Sequence, residues 1–170
     1  MVYARSKGFT LIELMVTLAV LAIVVTWAIP SFVTLIQQNR LTATTNQMLG
    51  IVSQARGEAL RRSDRVWVSP LDGSAWSSGV VIWRDENNDG NRADSEIIRL
   101  AQGPGNSVSI SGTSTTLSTA PFGFDGGGFA IDEQAYSLTF CSDDLPEGQI
   151  LEINGGGQIR TEGVTCGGGG

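Results

Sequence analysis

The hydrophobic pattern of the chain is most pronounced close to its N-terminus. Residues 9–29 are apolar except for Thr10, Glu13, Thr17 and Thr26. As an α-helix, this run would extend about 30 Å, which is the thickness of the hydrocarbon core of a bilayer. The pattern therefore predicts a membrane-spanning helix that contains one carboxylate near its start.

The residues around this run indicate its orientation. Arg5 and Lys7 precede it and should stay cytoplasmic, so the rest of the chain would lie across the membrane. A cleaved secretory signal is one alternative, but the run is too long and 28–30 is a poor cleavage site. An uncleaved anchor is the other alternative, and it leaves Glu13 unexplained, because an unpaired carboxylate in lipid costs a few kcal/mol.

Apolar residues continue at helical spacing beyond the run. We predict one long helix from residue 9 to residue 62, whose second half packs on the body of the protein. Pro30 should bend or loosen this helix, because proline removes one backbone hydrogen bond. The apolar positions that predict the second half are Phe32, Leu35, Ile36, Met48, Ile51, Val52, Ala55 and Ala59.

After residue 64 the pattern changes to short runs separated by Gly, Asn, Asp and Pro. Such runs predict antiparallel strands, and a helix packed on an antiparallel sheet is an α+β fold. Residues 111–129 are rich in Ser, Thr and Gly and are predicted to be a loop. The predicted strands are 65–69, 79–84, 96–101, 107–111, 135–141, 149–153 and 158–161.

Composition excludes several classes of function. The chain has no histidine, which rules out Ser-His-Asp and Cys-His catalysis and most transition-metal sites. A net charge of −6 makes nucleic acid a poor default partner. The two cysteines lack zinc-ligand spacing. No pair of carboxylates is marked as an acid/base pair, so we expect no enzyme activity and no cofactor.

The stretch from Lys7 to Val16, KGFTLIELMV, resembles the processing motif of type IV pilins and type II secretion pseudopilins. The resemblance implies that a prepilin peptidase cuts between Gly8 and Phe9 and N-methylates Phe9. It also implies that Glu13 pairs with the terminal amine of a neighbouring subunit. Each charge alone is costly in apolar surroundings, and the pair offsets that cost. The alternative is a glutamate at the membrane edge that reaches the headgroups.

A second segment, ARGEALRRSDRV at 55–66, resembles the end of the first helix in the GspH/FimT group of minor pilins and pseudopilins. Its basic residues also suit the negative end of a helix dipole. The resemblance implies a leader at 1–8, a membrane or filament-core helix at 9–30, an amphipathic helix at 31–64 and a periplasmic β-rich domain at 65–170.

The function implied by this resemblance is that of a minor pilin. Such a subunit is held in the inner membrane until assembly, helps to initiate a type IV pilus and becomes part of it, near the tip. Its partners would be the prepilin peptidase, other minor pilins, the major pilin and the inner-membrane assembly platform. The alternatives are a minor pseudopilin of type II secretion and a DNA-binding minor pilin for DNA uptake.

The exported side of the membrane is oxidising, so Cys141 and Cys166 are predicted to form a disulfide. The bond would close a loop of about 25 residues and stabilise the fold by about 3–4 kcal/mol. The alternative is a pair of reduced, buried thiols.

Residues 85–96, DENNDGNRADSE, match the template of an EF-hand calcium loop. Asp85, Asn87, Asp89 and Glu96 would supply the oxygen ligands, and Gly90 would allow the sharp turn. The flanking segments look like strands rather than helices. This context favours the alternative, a hairpin whose side chains satisfy the amides of the turn.

Some relatives in this group carry a Gly-Arg-x-Arg element near the C-terminus that binds DNA. The matching stretch here is Gly157-Gln158-Ile159-Arg160, which lacks the first arginine. Arg160 alone would contact one phosphate, and the nearby Glu152 and Glu162 oppose binding. We therefore predict an exposed strand arginine and no nucleic-acid partner.

Overall fold

The structure is a computed structural model, and it describes residues 8–87, 89–104, 108–114 and 121–167. Helix α1 spans Leu11–Arg62, so the prediction of one long helix is confirmed and its start lies two residues later than predicted. The chain divides into two compact units, Met1–Ile36 and Gln37–Gly170.

The described part of the first unit is almost entirely helical and apolar on every side. Its large side chains are exposed all round the helix, with Ile12 at 65%, Ile23 at 66% and Phe32 at 66%. A helix of this kind is stable when lipid or other helices surround it. By length and composition it can cross a membrane.

The second unit contains the second half of α1, from Gln37 to Arg62, and two antiparallel sheets. The first sheet has the strand order β3-β2-β1-β5, and the second has the order β4-β6-β7-β8. The strands are β1 Val66–Pro70, β2 Gly79–Trp83, β3 Ile97–Gln102, β4 Ser109–Ser114, β5 Phe122–Phe124, β6 Tyr136–Cys141, β7 Glu147–Ile153 and β8 Ile159–Thr165.

One stripe of α1 forms the centre of the core in this unit. The buried positions alternate at spacings of four and three residues, which keeps them on one face of the helix. They are Leu41, Thr45, Met48, Val52, Ala55 and Ala59, and Ile51 is buried beside this stripe. Thr45 is fully buried, and its hydroxyl donates to the carbonyl oxygen of Leu41 at 3.1 Å, so no polar hydrogen is left unpaired there.

Both sheets place alternate residues against this core, as expected for strands with one buried face. Val68, Ile82 and Phe122 lie side by side in the first sheet, because Val68 pairs with both of the others. Leu138 pairs with Leu151 in the second sheet. All five side chains are at most 2% exposed. The α+β fold class is confirmed, and the β part consists of two sheets.

The prediction of a loop at 111–129 is wrong at both ends. Strand β4 continues to Ser114, and Phe122–Phe124 form β5, which pairs with β1. A three-residue strand with Gly123 at its centre carries too little local signal to predict, and its pairing partner is more than 50 residues away in sequence. Residues 115–120 lie outside the described residues.

Candidate functional site

The predicted processing site lies directly before α1. Gly8, Phe9 and Thr10 precede the helix, and the carbonyl oxygen of Thr10 accepts the first helical bond from the Leu14 amide at 3.2 Å. The Phe9 side chain is 79% exposed. Cleavage after Gly8 and methylation of Phe9 stay predictions, and Arg5 and Lys7 lie outside the described residues.

Thr10 and Glu13 form a reciprocal capping box at the start of α1. The Thr10 amide and hydroxyl both donate to Oε2 of Glu13, each at 3.0 Å. In return, the Glu13 amide donates to Oγ1 of Thr10 at 3.3 Å. A Thr followed three residues later by Glu is the sequence pattern of this box. Glu13 therefore has a local role at the helix N-terminus, which the sequence analysis missed although the spacing was visible.

The calcium-like loop uses its acidic side chains to hold its own backbone. Asp85 accepts hydrogen bonds from the amides of Asp89 at 3.1 Å and Gly90 at 2.9 Å. Glu96 is 5% exposed and accepts from the amides of Glu86 at 3.0 Å and Ala93 at 2.8 Å. These contacts match the hairpin alternative.

Two further predicted ligands behave in the same way. Asn87 accepts from the amide of Asp89 at 3.0 Å, and Asp89 accepts from the amide of Asn91 at 2.7 Å. Among the described residues, no group of three or more acidic or cysteine side chains is arranged to hold a metal ion. Calcium at this loop stays a prediction, and the oxygens proposed as ligands already have backbone partners.

Residues 84–87 and 89–96 belong to the connection from β2 to β3, and we call this segment the covering loop. Arg92 fixes this loop to the end of β1. Its Nη1 donates to the Ser69 hydroxyl at 3.1 Å and to the Pro70 carbonyl oxygen at 3.0 Å, and its Nη2 donates to the Leu71 carbonyl oxygen at 3.0 Å. On the outer face of the first sheet, Trp67 and Trp83 stack with ring centroids 6.1 Å apart. Val81 and Trp83 are at most 4% exposed. These side chains form a second, smaller apolar layer on the face of the sheet opposite the core.

The predicted disulfide between Cys141 and Cys166 is confirmed. Cys141 ends β6 and Cys166 follows β8, so the bond passes across β7, the strand between them. It crosses at Gly148, where an added Cβ would lie 2.4 Å from Sγ of Cys166 and 3.0 Å from Sγ of Cys141. The absence of a side chain at Gly148 makes room for the bond.

Arg160 lies on β8, exposed but paired. Its Nη2 is 2.6 Å from Oε2 of Glu152, and its Nη1 is 3.6 Å from Glu162. The hydrogen bond to Glu152 is the main cause that raises the pKa of Arg160 above its usual range. Two carboxylates beside one guanidinium leave little net positive charge to attract a phosphate.

Arg56 forms a clamp that the basic pattern of 55–66, which suits the helix dipole, did not predict. Nε of Arg56 donates to the carbonyl oxygen of Gly128 at 2.8 Å, and Nη2 lies 3.5 Å from that of Gly156. These acceptors follow β5 and β7, so one side chain of α1 holds loops from both sheets. The Gly157 backbone, with φ of 72°, approaches so closely that a Cβ there would lie 2.0 Å from the Gly128 oxygen.

A groove of about 870 Å³ lies beside this clamp. Polar side chains in its lining bond to one another: Nδ2 of Asn154 donates to Oε1 of Gln158 at 3.1 Å, and Arg160 pairs with Glu152. The groove therefore has no evident ligand-directed group among these four side chains.

Comparison with protein families gives two matches. The model of the type II transport protein GspH matches residues 44–157. The model of the prokaryotic N-terminal methylation motif matches residues 3–29. No curated protein matches the chain in sequence.

Two crystal structures of the type IV minor pilin FimU of Pseudomonas aeruginosa PAO1 are similar in fold. One, in space group P21, has a TM-score of 0.60 at 18% identity, covering 74% of this chain and 90% of that one. The other, in space group P65, has a TM-score of 0.57 at 17% identity, covering 72% and 92%. At these identities the likeness concerns the fold.

Proposed function

Because the chain belongs to the GspH family and carries the prokaryotic N-terminal methylation motif, we propose that it is a minor pilin that helps to initiate a type IV pilus and becomes part of it. The observation that carries this proposal is that the helix of the first unit is apolar on all sides and has one carboxylate, Glu13, in its first turn. Such a helix needs lipid before assembly and neighbouring helices afterwards.

The proposed processing and assembly of the subunit begin in the inner membrane. Residues 1–8 are the leader that prepilin peptidase removes, and the same enzyme methylates Phe9. Residues 9–30 then span the membrane and 31–64 form the amphipathic helix. Residues 65–170 form the β-rich domain in the periplasm. The assembly platform then transfers the subunit into the filament, beside the major pilin and other minor pilins, near the tip.

Glu13 is proposed to pair with the Phe9 amine of a neighbouring subunit and so to set the axial stagger between helices. Two opposite charges in apolar surroundings are tolerated as a pair and costly apart. We expect Glu13→Ala to be cleaved normally but to be poorly incorporated into filaments. A bulky replacement of Gly8, such as Gly8→Leu, should block processing, which the mass of the membrane-bound chain would report.

The decisive experiment is a count of surface pili in cells that lack only this chain. We expect few or no pili, and restoration when the wild-type chain is supplied but not when Glu13→Ala is supplied. Unchanged pili would contradict a role in initiation. Full restoration by Glu13→Ala would contradict the charge pairing and leave the minor-pilin role standing.

The second candidate is a minor pseudopilin of a type II secretion system. It is favoured by the matching family model, which is named for type II transport. The same deletion strain separates the two functions: unchanged pili with accumulation of secreted proteins in the periplasm would identify a pseudopilin. The paired state of Arg160 argues against the third candidate, DNA uptake. A log–log plot of DNA affinity against salt with a slope near zero would exclude it.

A further inference from the structure

The turn between β7 and β8 contains an asparagine followed directly by a glycine, Asn154-Gly155. No other asparagine in the sequence has a glycine after it. In such a pair the glycine nitrogen can attack the side-chain amide carbon of the asparagine, because glycine has no Cβ to hinder the approach. Asn154 is exposed, so water and solvent base reach this turn.

The Asn154 side chain is folded along the backbone that follows it. Its Oδ1 accepts a hydrogen bond from the Gln158 amide at 2.9 Å. A Cβ built on Gly156 would lie 3.4 Å from the same oxygen. A donor at Oδ1 draws electrons from Cγ and stabilises the negative charge that develops on the oxygen during an attack. The turn therefore presents the amide carbon with a donor already in place.

The attacking atom would be the Gly155 nitrogen, which has no other role in the turn. Among the residues that the structure describes, the Gly155 amide donates to no oxygen. The amides of Asn154 and Gly157 in the same turn both donate to backbone carbonyls, at 3.1 and 2.8 Å. The Gly155 amide can therefore lose its proton without breaking a hydrogen bond of the fold.

Packing against the turn before β6 requires glycine at position 155. A Cβ there would lie 2.4 Å from the carbonyl oxygen of Glu133. The Gly155 carbonyl oxygen also accepts from the Ala130 amide at 3.1 Å, which holds the two loops together. The contact that excludes a larger residue thus keeps Asn154 beside the residue that hinders cyclisation least.

We propose that Asn154 is a self-modification site of the folded protein, at which the side-chain amide becomes a carboxylate and the isoaspartate form of the product loosens the Arg56 clamp. The deprotonated Gly155 nitrogen forms a bond to Cγ of Asn154. The bond between Cγ and Nδ2 breaks, and Nδ2 takes up a proton from solvent and leaves as ammonia. Water then opens the resulting succinimide ring at either carbonyl, which gives aspartate or isoaspartate. The inference does not depend on the minor-pilin role.

The product changes both the groove and the clamp beside it. Either acid adds a negative charge to the groove, which Glu152 also lines, and removes the Nδ2 donor that bonds to Oε1 of Gln158 at 3.1 Å. Isoaspartate also adds a methylene to the backbone before Gly155. That insertion displaces the turn whose Gly156 carbonyl oxygen lies 3.5 Å from Nη2 of Arg56.

The test follows the full-length chain in detergent micelles during incubation at mildly alkaline pH. Peptide mapping separates the peptides that carry asparagine, aspartate and isoaspartate at each position. Asn91 is the internal control, because it is exposed but is followed by Arg92. We expect Asn154 to convert about tenfold faster than Asn91 or more, and equal rates would overturn the proposal.

A parallel incubation in urea shows whether the fold permits the reaction. We expect the folded chain to convert Asn154 at a rate within about fivefold of the rate in urea, because the turn geometry offsets the lost flexibility. A slower folded rate would overturn the proposal. Asn154→Gln keeps a side-chain amide but would have to close a larger ring. On isoelectric focusing it should accumulate no acidic form, and accumulation equal to that of wild type would assign the reaction to another residue.

The effect on the clamp is measured on the isoaspartate form after its separation by ion exchange. We expect its Tm, followed by near-ultraviolet circular dichroism, to lie about 2–4 °C below that of fresh wild type, as the loss of one hydrogen bond implies for a chain of this size. Fresh Asn154→Asp is the control that carries the same charge on a normal backbone. An isoaspartate form as stable as Asn154→Asp would overturn the loosening of the clamp.

Discussion

The disulfide allows the most quantitative test of the fold. It joins residues 25 positions apart, and closure of such a loop stabilises by about 3.5 kcal/mol on the chain-entropy model. The second unit, Gln37–Gly170, should have an unfolding entropy of about 0.28 kcal/mol per kelvin. Replacing both cysteines by alanine should therefore lower its Tm by about 12 °C.

The assay is thermal and urea unfolding of a fragment that begins at Gln37, followed by circular dichroism, with the oxidised wild type and the Cys141→Ala/Cys166→Ala double variant side by side. A loss below about 1 kcal/mol would refute the loop-closure argument. Reduction of the wild-type fragment should reproduce the double variant, which controls for the loss of the sulfur atoms themselves.

Gly148 makes the test specific to the path of the bond. Gly148→Ala places a Cβ 2.3 Å from the carbonyl oxygen of Phe140 and 2.4 Å from Sγ of Cys166 in the oxidised protein. Overpacking of this kind costs about 1–3 kcal/mol. Without the sulfurs part of that clash is gone, so Gly148→Ala should cost less in the double variant. An equal cost in both backgrounds would show that the sulfurs add nothing to the penalty, which the Phe140 carbonyl oxygen would then set alone.

Three other predictions concern the clamp, a turn and the covering loop. Arg56→Met should lower the free energy of unfolding by about 1.5–3 kcal/mol, because it removes charged donors from the Gly128 and Gly156 carbonyls. The control is Arg40→Met, at an exposed position of α1, which should change that free energy by less than about 0.5 kcal/mol. Equal effects of the two variants would contradict the clamp. Hydrogen bonds from the amides of Ala75 and Ser74 lower the pKa of Asp72 from 3.8 to about 2. Its contribution to stability is therefore complete above about pH 4 and is lost as pH falls towards 2. Asp72→Asn should make the free energy of unfolding depend less on pH in that window. About 1 mM calcium should leave the Tm of the second unit unchanged; a rise that Asp89→Ala abolishes would identify the loop as a calcium site.

Much of the helix and the strands could be predicted because their signals are local. The stripe from Met48 to Ala59 has helical spacing, and both cysteines stand where an exported domain would oxidise them. The capping box was also readable, since Thr10 and Glu13 are three residues apart. These two residues also belong to the processing motif, which indicates a contact of Glu13 with a neighbouring subunit, and the contact between Thr10 and Glu13 within the helix was not predicted.

The features that could not be predicted depend on contacts far apart in the chain. Arg56 bonds to carbonyls 72 and 100 residues away, and nothing in its neighbourhood marks it as a clamp rather than a surface charge. The separation of the strands into two sheets depends on which strands pair. Strand β5 is buried and apolar, but its three residues are too short for a period to be measured.

The covering loop has a consequence for how the surface of this protein can vary. Asp85, Arg92 and Glu96 hold the loop from within, through bonds to its own amides and to the backbone of β1 and the residue that follows it. Between these fixed points, residues 86–87, 89–91 and 93–95 are exposed. Of these, Asn87 and Asp89 accept hydrogen bonds from loop amides and Gly90 has a φ of 75°, so substitutions at 86, 91 and 93–95 are the ones that can alter the charge and shape of this side while the loop keeps its conformation. The surface of this segment can therefore change at the exposed positions whose side chains accept no bond from the loop amides, because the other side chains of the loop fix its backbone.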